Sequence, residues 1–139
     1  MTTPADLAAT EAELQRVLDE VPFTRAYGFR LHAIAPGQCT LEVPFQPLFE
    51  RPGGIVGGQV FMAAADVAMW LAIMTRLGSG DGSVTAAMTS AFLDAARHES
   101  FRCTARVVKL GRRLVYGVAE SVSGSGRLLT HHSLTYARR

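Results

Sequence analysis

The chain has 139 residues, 48% of them hydrophobic and 19% charged, with a net charge of +2. That length suits one domain that buries roughly two thirds of its unfolded surface, and the high apolar and low charged fractions mark it as globular rather than disordered. The Lys and Arg residues are scattered, with no run longer than two, so the charge pattern argues against nucleic acid as a partner.

Residues Pro4 to Glu20 carry Leu7, Leu14, Val17 and Leu18 near helical spacing, which predicts an N-terminal helix within residues 1–21 that Pro22 ends. The opening TTPADLAATEAEL has neither a basic start nor an apolar signal core, and the expectation is a cytoplasmic protein. Phe29 to Ala35 reads as a short strand before the Pro36-Gly37 turn. From Cys39 to Phe45, apolar residues alternate with Thr40, Glu42 and Pro44. This predicts a half-buried strand near a sheet edge, because Pro44 cannot donate to a ladder.

Gln46 to Gly58 contains Pro47, Pro52 and four glycines and reads as a loop. It leads into QVFMAAADVAMWLAIM, Gln59 to Met74, whose one ionisable residue is Asp66. An amphipathic surface helix shows polar residues every third or fourth position. This stretch is apolar on every side, so a helix from about Gly58 to Arg76 is predicted to be enclosed by the rest of the protein. An unpaired buried carboxylate costs roughly several kcal/mol, so Asp66 belongs either to a structural network or to chemistry. The apolar run is shorter than the roughly 20 residues of a membrane-spanning helix, and no membrane role is expected.

Val84 to Leu93 has small or apolar residues on both faces and reads as a strand fit for the sheet centre. Phe101 to Val107 alternates cleanly, Gly111 turns the chain, and Leu114 to Val122 returns. Gly124-Ser125-Gly126 signals a second hairpin into Leu128 to Tyr136. One long apolar helix with an antiparallel sheet of five or six strands wrapped around it satisfies this pattern as an α+β domain. Cys39 and Cys103 sit in strand-like runs without CxxC spacing or a Cys/His cluster, so free buried thiols are expected and no metal.

The segments RPGGIVGGQVFMAAADVAMWLA (Arg51 to Ala72) and VTAAMTSAFLDAA (Val84 to Ala96) carry a resemblance, as does RVVKLGRRLVYGVAESVSGSGRLLTHHSLTY. The chain resembles the hotdog-fold acyl-CoA thioesterases of the phenylacetate-pathway type. The resemblance covers about Pro22 to Ala137, so residues 1–139 are expected to form one hotdog domain with its core at 22–137. In the usual pattern His-Gly-Gly opens the central helix, and an acid follows seven positions after the second glycine. Counting back from Asp66, Gly58 matches the first glycine, while Gly57 replaces the histidine and Gln59 the second glycine.

Thioester hydrolysis needs an attacking group and donors for the developing oxyanion. A helix N-terminus offers free N–H groups and partial positive charge, and a glycine there lets a carbonyl approach. By these requirements Asp66 could be the base or nucleophile and Gly58 the oxyanion donor. The resemblance implies that Thr85 holds water beside the acid, and a hydroxyl can accept from water while donating to the carboxylate. Eight residues separate Gly58 from Asp66, about 12 Å of helix at roughly 1.5 Å per residue. One helix cannot present both to a single carbonyl, so the site is expected to be shared between two subunits. The resemblance implies the same homodimer or tetramer of two dimers.

Gly57, Gln59 and Met62 are expected near the substrate. Arg51 is expected to meet substrate anions, or to pair with Glu50 or Asp66. Lys109, Arg112 and Arg113 offer charge to coenzyme A phosphates. No cofactor is expected beyond coenzyme A as part of the substrate. The alternatives are an acyl-CoA or lipid-binding protein without turnover, distinguished by the missing histidine at Gly57, and a hydratase, which needs a histidine beside Asp66.

Overall fold

The computed structural model describes residues 6–139. The predicted start of the first helix, Pro4 and Ala5, lies outside them. α1 spans Glu11–Glu20 and begins later than the hydrophobic spacing suggests, because Thr10 caps it. Its hydroxyl accepts from the Glu13 N–H at 3.1 Å, and the Glu13 carboxylate accepts from the Thr10 N–H at 3.1 Å. Such a reciprocal pair fixes a helix start and stabilises by about 1 kcal/mol. Pro22 ends α1 and also opens α2, Pro22–Tyr27, since a proline is tolerated in a helix's first turn. Gly28, at φ 73°, then reverses the chain.

β1 (Arg30–Ala35) and β2 (Gln38–Val43) form a hairpin. After them come two-residue strands β3 (Glu50–Arg51) and β4 (Ile55–Val56), which pair with each other inside the segment expected to be loop. α3 runs from Gly58 to Leu77. The long strands are β5 (Val84–Phe92), β6 (Phe101–Leu110), β7 (Leu114–Ser123) and β8 (Leu128–Ala137). One antiparallel six-stranded sheet results, ordered β1-β2-β6-β7-β8-β5.

β2 lies near the edge as expected, covered only by β1, and Pro44 falls just beyond the ladder, where its missing N–H costs nothing. One expectation about the sheet is corrected: β5 is an edge strand rather than a central one, paired only with β8. Both of its faces stay open within the chain, with Val84 41% and Phe92 53% exposed and Leu93, just past its end, 56% exposed.

The concave face of the sheet holds α3. Leu71, Ala72, Ile73 and Met74 are buried, as are the sheet residues Leu41, Val43, Cys103 and Val115 beneath. Truncating Leu71 to Ala in such a core costs about 2–5 kcal/mol. Contact is closest at Gly117, where a Cβ would stand 2.6 Å from the Arg106 carbonyl oxygen and collide with the side chain of Met69. By length and composition α3 is apolar enough to cross a bilayer, but most of it is buried as the core helix. Cys39 and Cys103 are buried free thiols.

Candidate active site

One stripe of α3 escapes the sheet. Gln59 and Met62 are exposed, and Asp66 and Trp70 are half-buried. Asp66 is therefore less enclosed than its apolar neighbours suggest, because the sheet wraps only the other faces of the helix. Its carboxylate is held from two strands. Thr85, on β5, donates its hydroxyl to Asp66 Oδ1 at 2.7 Å. Tyr136, on β8, donates to the same oxygen at 2.6 Å, with the Asp66 backbone carbonyl also within 2.7 Å of that hydroxyl.

Thr85 and Tyr136 are opposed partners in the β5–β8 ladder, and the register slips just after Thr85. A bulge of this kind re-aims side chains at a strand's edge. Burial, then the Asp66 charge and the hydrogen bond to it, hold the Tyr136 phenol well above its usual range. It therefore remains a donor at any ordinary pH. These three residues, with Phe23, Trp70 and Val84, line an open cavity of about 550 Å³. Its walls are largely aromatic and aliphatic, with the carboxylate against one side.

A second cluster lies at the start of α3. Gly57 is the N-cap and no side chain caps the helix. Its N–H donates to the Phe49 carbonyl at 2.9 Å, so Gly57 is not a free donor. Gly58 and Gln59 come next, and no described residue accepts from their N–H groups. Such groups carry the positive end of the helix dipole. The Gln59 side chain folds over Gly57, where a Cβ would meet its Oε1 at 2.8 Å. The ring of Phe92 rests against Gly58.

The β3–β4 hairpin that delivers this helix start is clasped by residues 94–99. Val56 N–H donates to the Ala96 carbonyl at 2.9 Å, and the Arg97 guanidinium to the Gly53 carbonyl at 2.8 Å. Arg127 ties that segment down through Asp94 at 2.8 Å and Glu99 at 2.9 Å.

Of the residues singled out from sequence, the fold brings Asp66 and Thr85 together. Met62 stands one turn before Asp66 on the same stripe. Gly57, Gly58 and Gln59 lie at the other end of the stripe. Arg51 sits exposed on the β3–β4 hairpin and pairs with neither Glu50 nor Asp66 among the described residues. Asp66 takes hydroxyl partners instead, and Glu50 faces His98 at 3.4 Å. Lys109, Arg112 and Arg113 are exposed around the β6–β7 turn. That turn lies at the same end of the sheet as Thr85 and Tyr136, since Leu114 and Val84 both oppose Ala137. They do not line the cavity.

Tyr136 was missed. Alternation along β8 points it inward, and a buried tyrosine hydroxyl needs a partner. Nothing in the linear order says that the partner lies seventy residues back. Among the described residues no group of three or more His, Cys, Asp or Glu side chains gathers as a metal site.

Residues 53–130 match the family described as the thioesterase superfamily. A Thermoplasma acidophilum protein named "Putative esterase" is 25% identical over 89% of this chain and 93% of its own length. The crystal structure of zebrafish thioesterase superfamily member 2 superposes with a TM-score of 0.84 at 23% identity, covering 94% of this chain and 99% of the other. The Escherichia coli PaaI protein from the phenylacetic acid degradation operon gives 0.82 at 16% identity, over 93% and 95%. At these identities the two structures establish the hotdog fold and nothing finer.

Proposed function

The chain belongs to the thioesterase superfamily, and on that premise we propose that it is an acyl-CoA thioesterase whose working site is shared between two copies of itself. The observation that carries this reading is the division of labour along α3. A carboxylate is anchored at the wall of an open, largely apolar cavity. The uncommitted N–H groups of Gly58 and Gln59 lie about 12 Å away on the same helix. A reacting carbonyl must sit near 3 Å from both its attacker and its oxyanion donors. A partner helix running antiparallel meets that demand, with its start beside Asp66.

The open edge of β5 supports pairing with a second copy. An unpaired edge strand flanked by exposed Val84, Phe92 and Leu93 is a surface that proteins normally cover. Strand pairing there under two-fold symmetry would bring the Asp66 cluster of one subunit toward the Gly58 cluster of the other. Two sites per dimer result, and two dimers can form a tetramer.

In the reaction a water beside Asp66 attacks the thioester carbonyl carbon and yields its proton to the carboxylate. The oxyanion is met by Gly58 and Gln59 of the partner subunit. Collapse breaks the carbon–sulfur bond, and the departing thiolate takes up the proton. Attack by the carboxylate itself, through an anhydride that water then opens, uses the same groups. Pantetheine would enter past residues 46–58, where Arg51 stands, and the phosphates would reach Lys109, Arg112 and Arg113. These cations have no ion-pair partner among the described residues.

The test is turnover of short-chain, long-chain and aryl acyl-CoAs by the purified protein and by Asp66→Asn. Loss of at least about 100-fold in the variant is expected for removal of an acid–base group. Unchanged turnover removes Asp66 from the mechanism. Tight binding of acyl-CoA with no turnover identifies a binding protein instead.

A further inference from the structure

We propose that Tyr136 is a positioning residue: together with Thr85 it occupies Oδ1 of Asp66 and so reserves Oδ2 as the oxygen that does the chemistry. This rests on the thioesterase reading above. Both hydroxyls end on the same oxygen, at 2.6 and 2.7 Å, although they come from different strands. No described residue donates to Oδ2. A carboxylate with two free oxygens turns about its terminal bond and offers either one. Two donors on one oxygen hold that rotation in a single state.

The Tyr136 hydroxyl does more than hold the carboxylate end. At 2.7 Å from the Asp66 backbone carbonyl and 2.6 Å from Oδ1, one proton is shared between the main chain and side chain of one residue. The side chain is thereby fixed relative to the helix that carries it. Tyr136 itself is 3% exposed, and a buried ring on a strand paired on both sides is a rigid post. Thr85 alone would be a weaker anchor, because it lies on the exposed edge strand beside the bulge. The pair thus joins a rigid donor to an adjustable one at a site where misplacement by about 1 Å costs about 100-fold in rate.

Tyr136→Phe keeps the ring and removes only the oxygen. The expected result is kcat lowered about 10- to 100-fold, with KM within about twofold, because binding groups are untouched. Thr85→Val should lower kcat as well, and Thr85→Ser should restore it. The double variant should lose less than the product of the two single losses, since both donors serve one oxygen.

Wild-type kcat in Tyr136→Phe, with Asp66→Asn inactive, overturns this role and leaves the thioesterase reading intact. If the wild-type protein turns over no acyl-CoA, that reading fails. Crystal structures of the wild type and of Tyr136→Phe then decide the role of Tyr136. A carboxylate that takes up a second rotamer when the hydroxyl is removed supports it, and one unchanged rotamer in both overturns it.

Discussion

The ring of Phe92 lies against Gly58, so that a Cβ at position 58 would come within 3.2 Å of Phe92 Cε1. β5 thus touches the start of α3 with one end and, through Thr85 near its other end, holds the acid in the middle of α3. The two halves of the proposed chemistry hang on one edge strand.

Replacing Gly58 with Ala should therefore damage catalysis more than folding. Phe92 is half-exposed and can turn aside, and on the proposed reading the added methyl crowds the N–H that meets the oxyanion. Blocking an oxyanion donor costs about 100- to 1,000-fold in kcat. Steady-state kinetics beside a thermal melt separates the two effects, and equal losses in stability and activity would refute the assignment.

Subunit sharing predicts complementation. Asp66→Asn and Gly58→Val subunits should each be inactive alone. Mixed and re-associated in equal amounts, half of the dimers are hybrids and each hybrid has one intact site, so about a quarter of wild-type activity should return for a two-fold dimer. A mixture that stays inactive while native mass spectrometry shows hybrids would eliminate the shared site.

His132 should give the protein an acid sensitivity. It is wholly buried, with Ser90 Oγ 2.7 Å from Nδ1 and Thr130 Oγ1 2.9 Å from Nε2. Burial first, then the neighbouring His131, pushes it down from 6.5 to about 4. A base whose folded pKa is depressed takes its proton more readily when unfolded. Its stabilisation is therefore complete above 6.5 and is lost as pH falls toward 4. The added slope approaches that of one proton, about 1.4 kcal/mol per pH unit. Urea denaturation across this window, wild type against His132→Asn, should show the slope in the wild type alone.

The two thiols should be silent in the native protein. Burial, and to a lesser degree Cys103, holds Cys39 above the usual thiol range, and burial pushes Cys103 up to about 12. Reaction with a thiol reagent at neutral pH must wait for opening of the core, slower by about 1,000-fold or more than in denaturant. Rapid labelling of either cysteine without denaturant would contradict the packing described here.

Much of this was legible because each signal is local. α3 was marked by an unbroken apolar run, and β6, β7 and β8 by alternation and glycine turns. Asp66 stood out as a charge without company, and its partner Thr85 lay at the head of the next strand. The place of β5 in the sheet is not readable from its residues, because small residues on both faces suit either a strand buried between layers or one left open for a neighbour, and composition does not separate the two. The first helix starts later than its hydrophobic spacing suggests because the Thr10–Glu13 capping box sets its start.

Sequence alone thus determined the long central helix and the long strands, which side chains prefer the interior, and that one acid had to be accommodated on a greasy helix. Only the tertiary structure decided how far that acid is covered, which strand forms the open edge, and that Tyr136 reaches it across seventy residues. Periodicity is a property of neighbours in the chain, whereas strand order and the meeting of a phenol with a carboxylate depend on how the whole sheet closes around its helix.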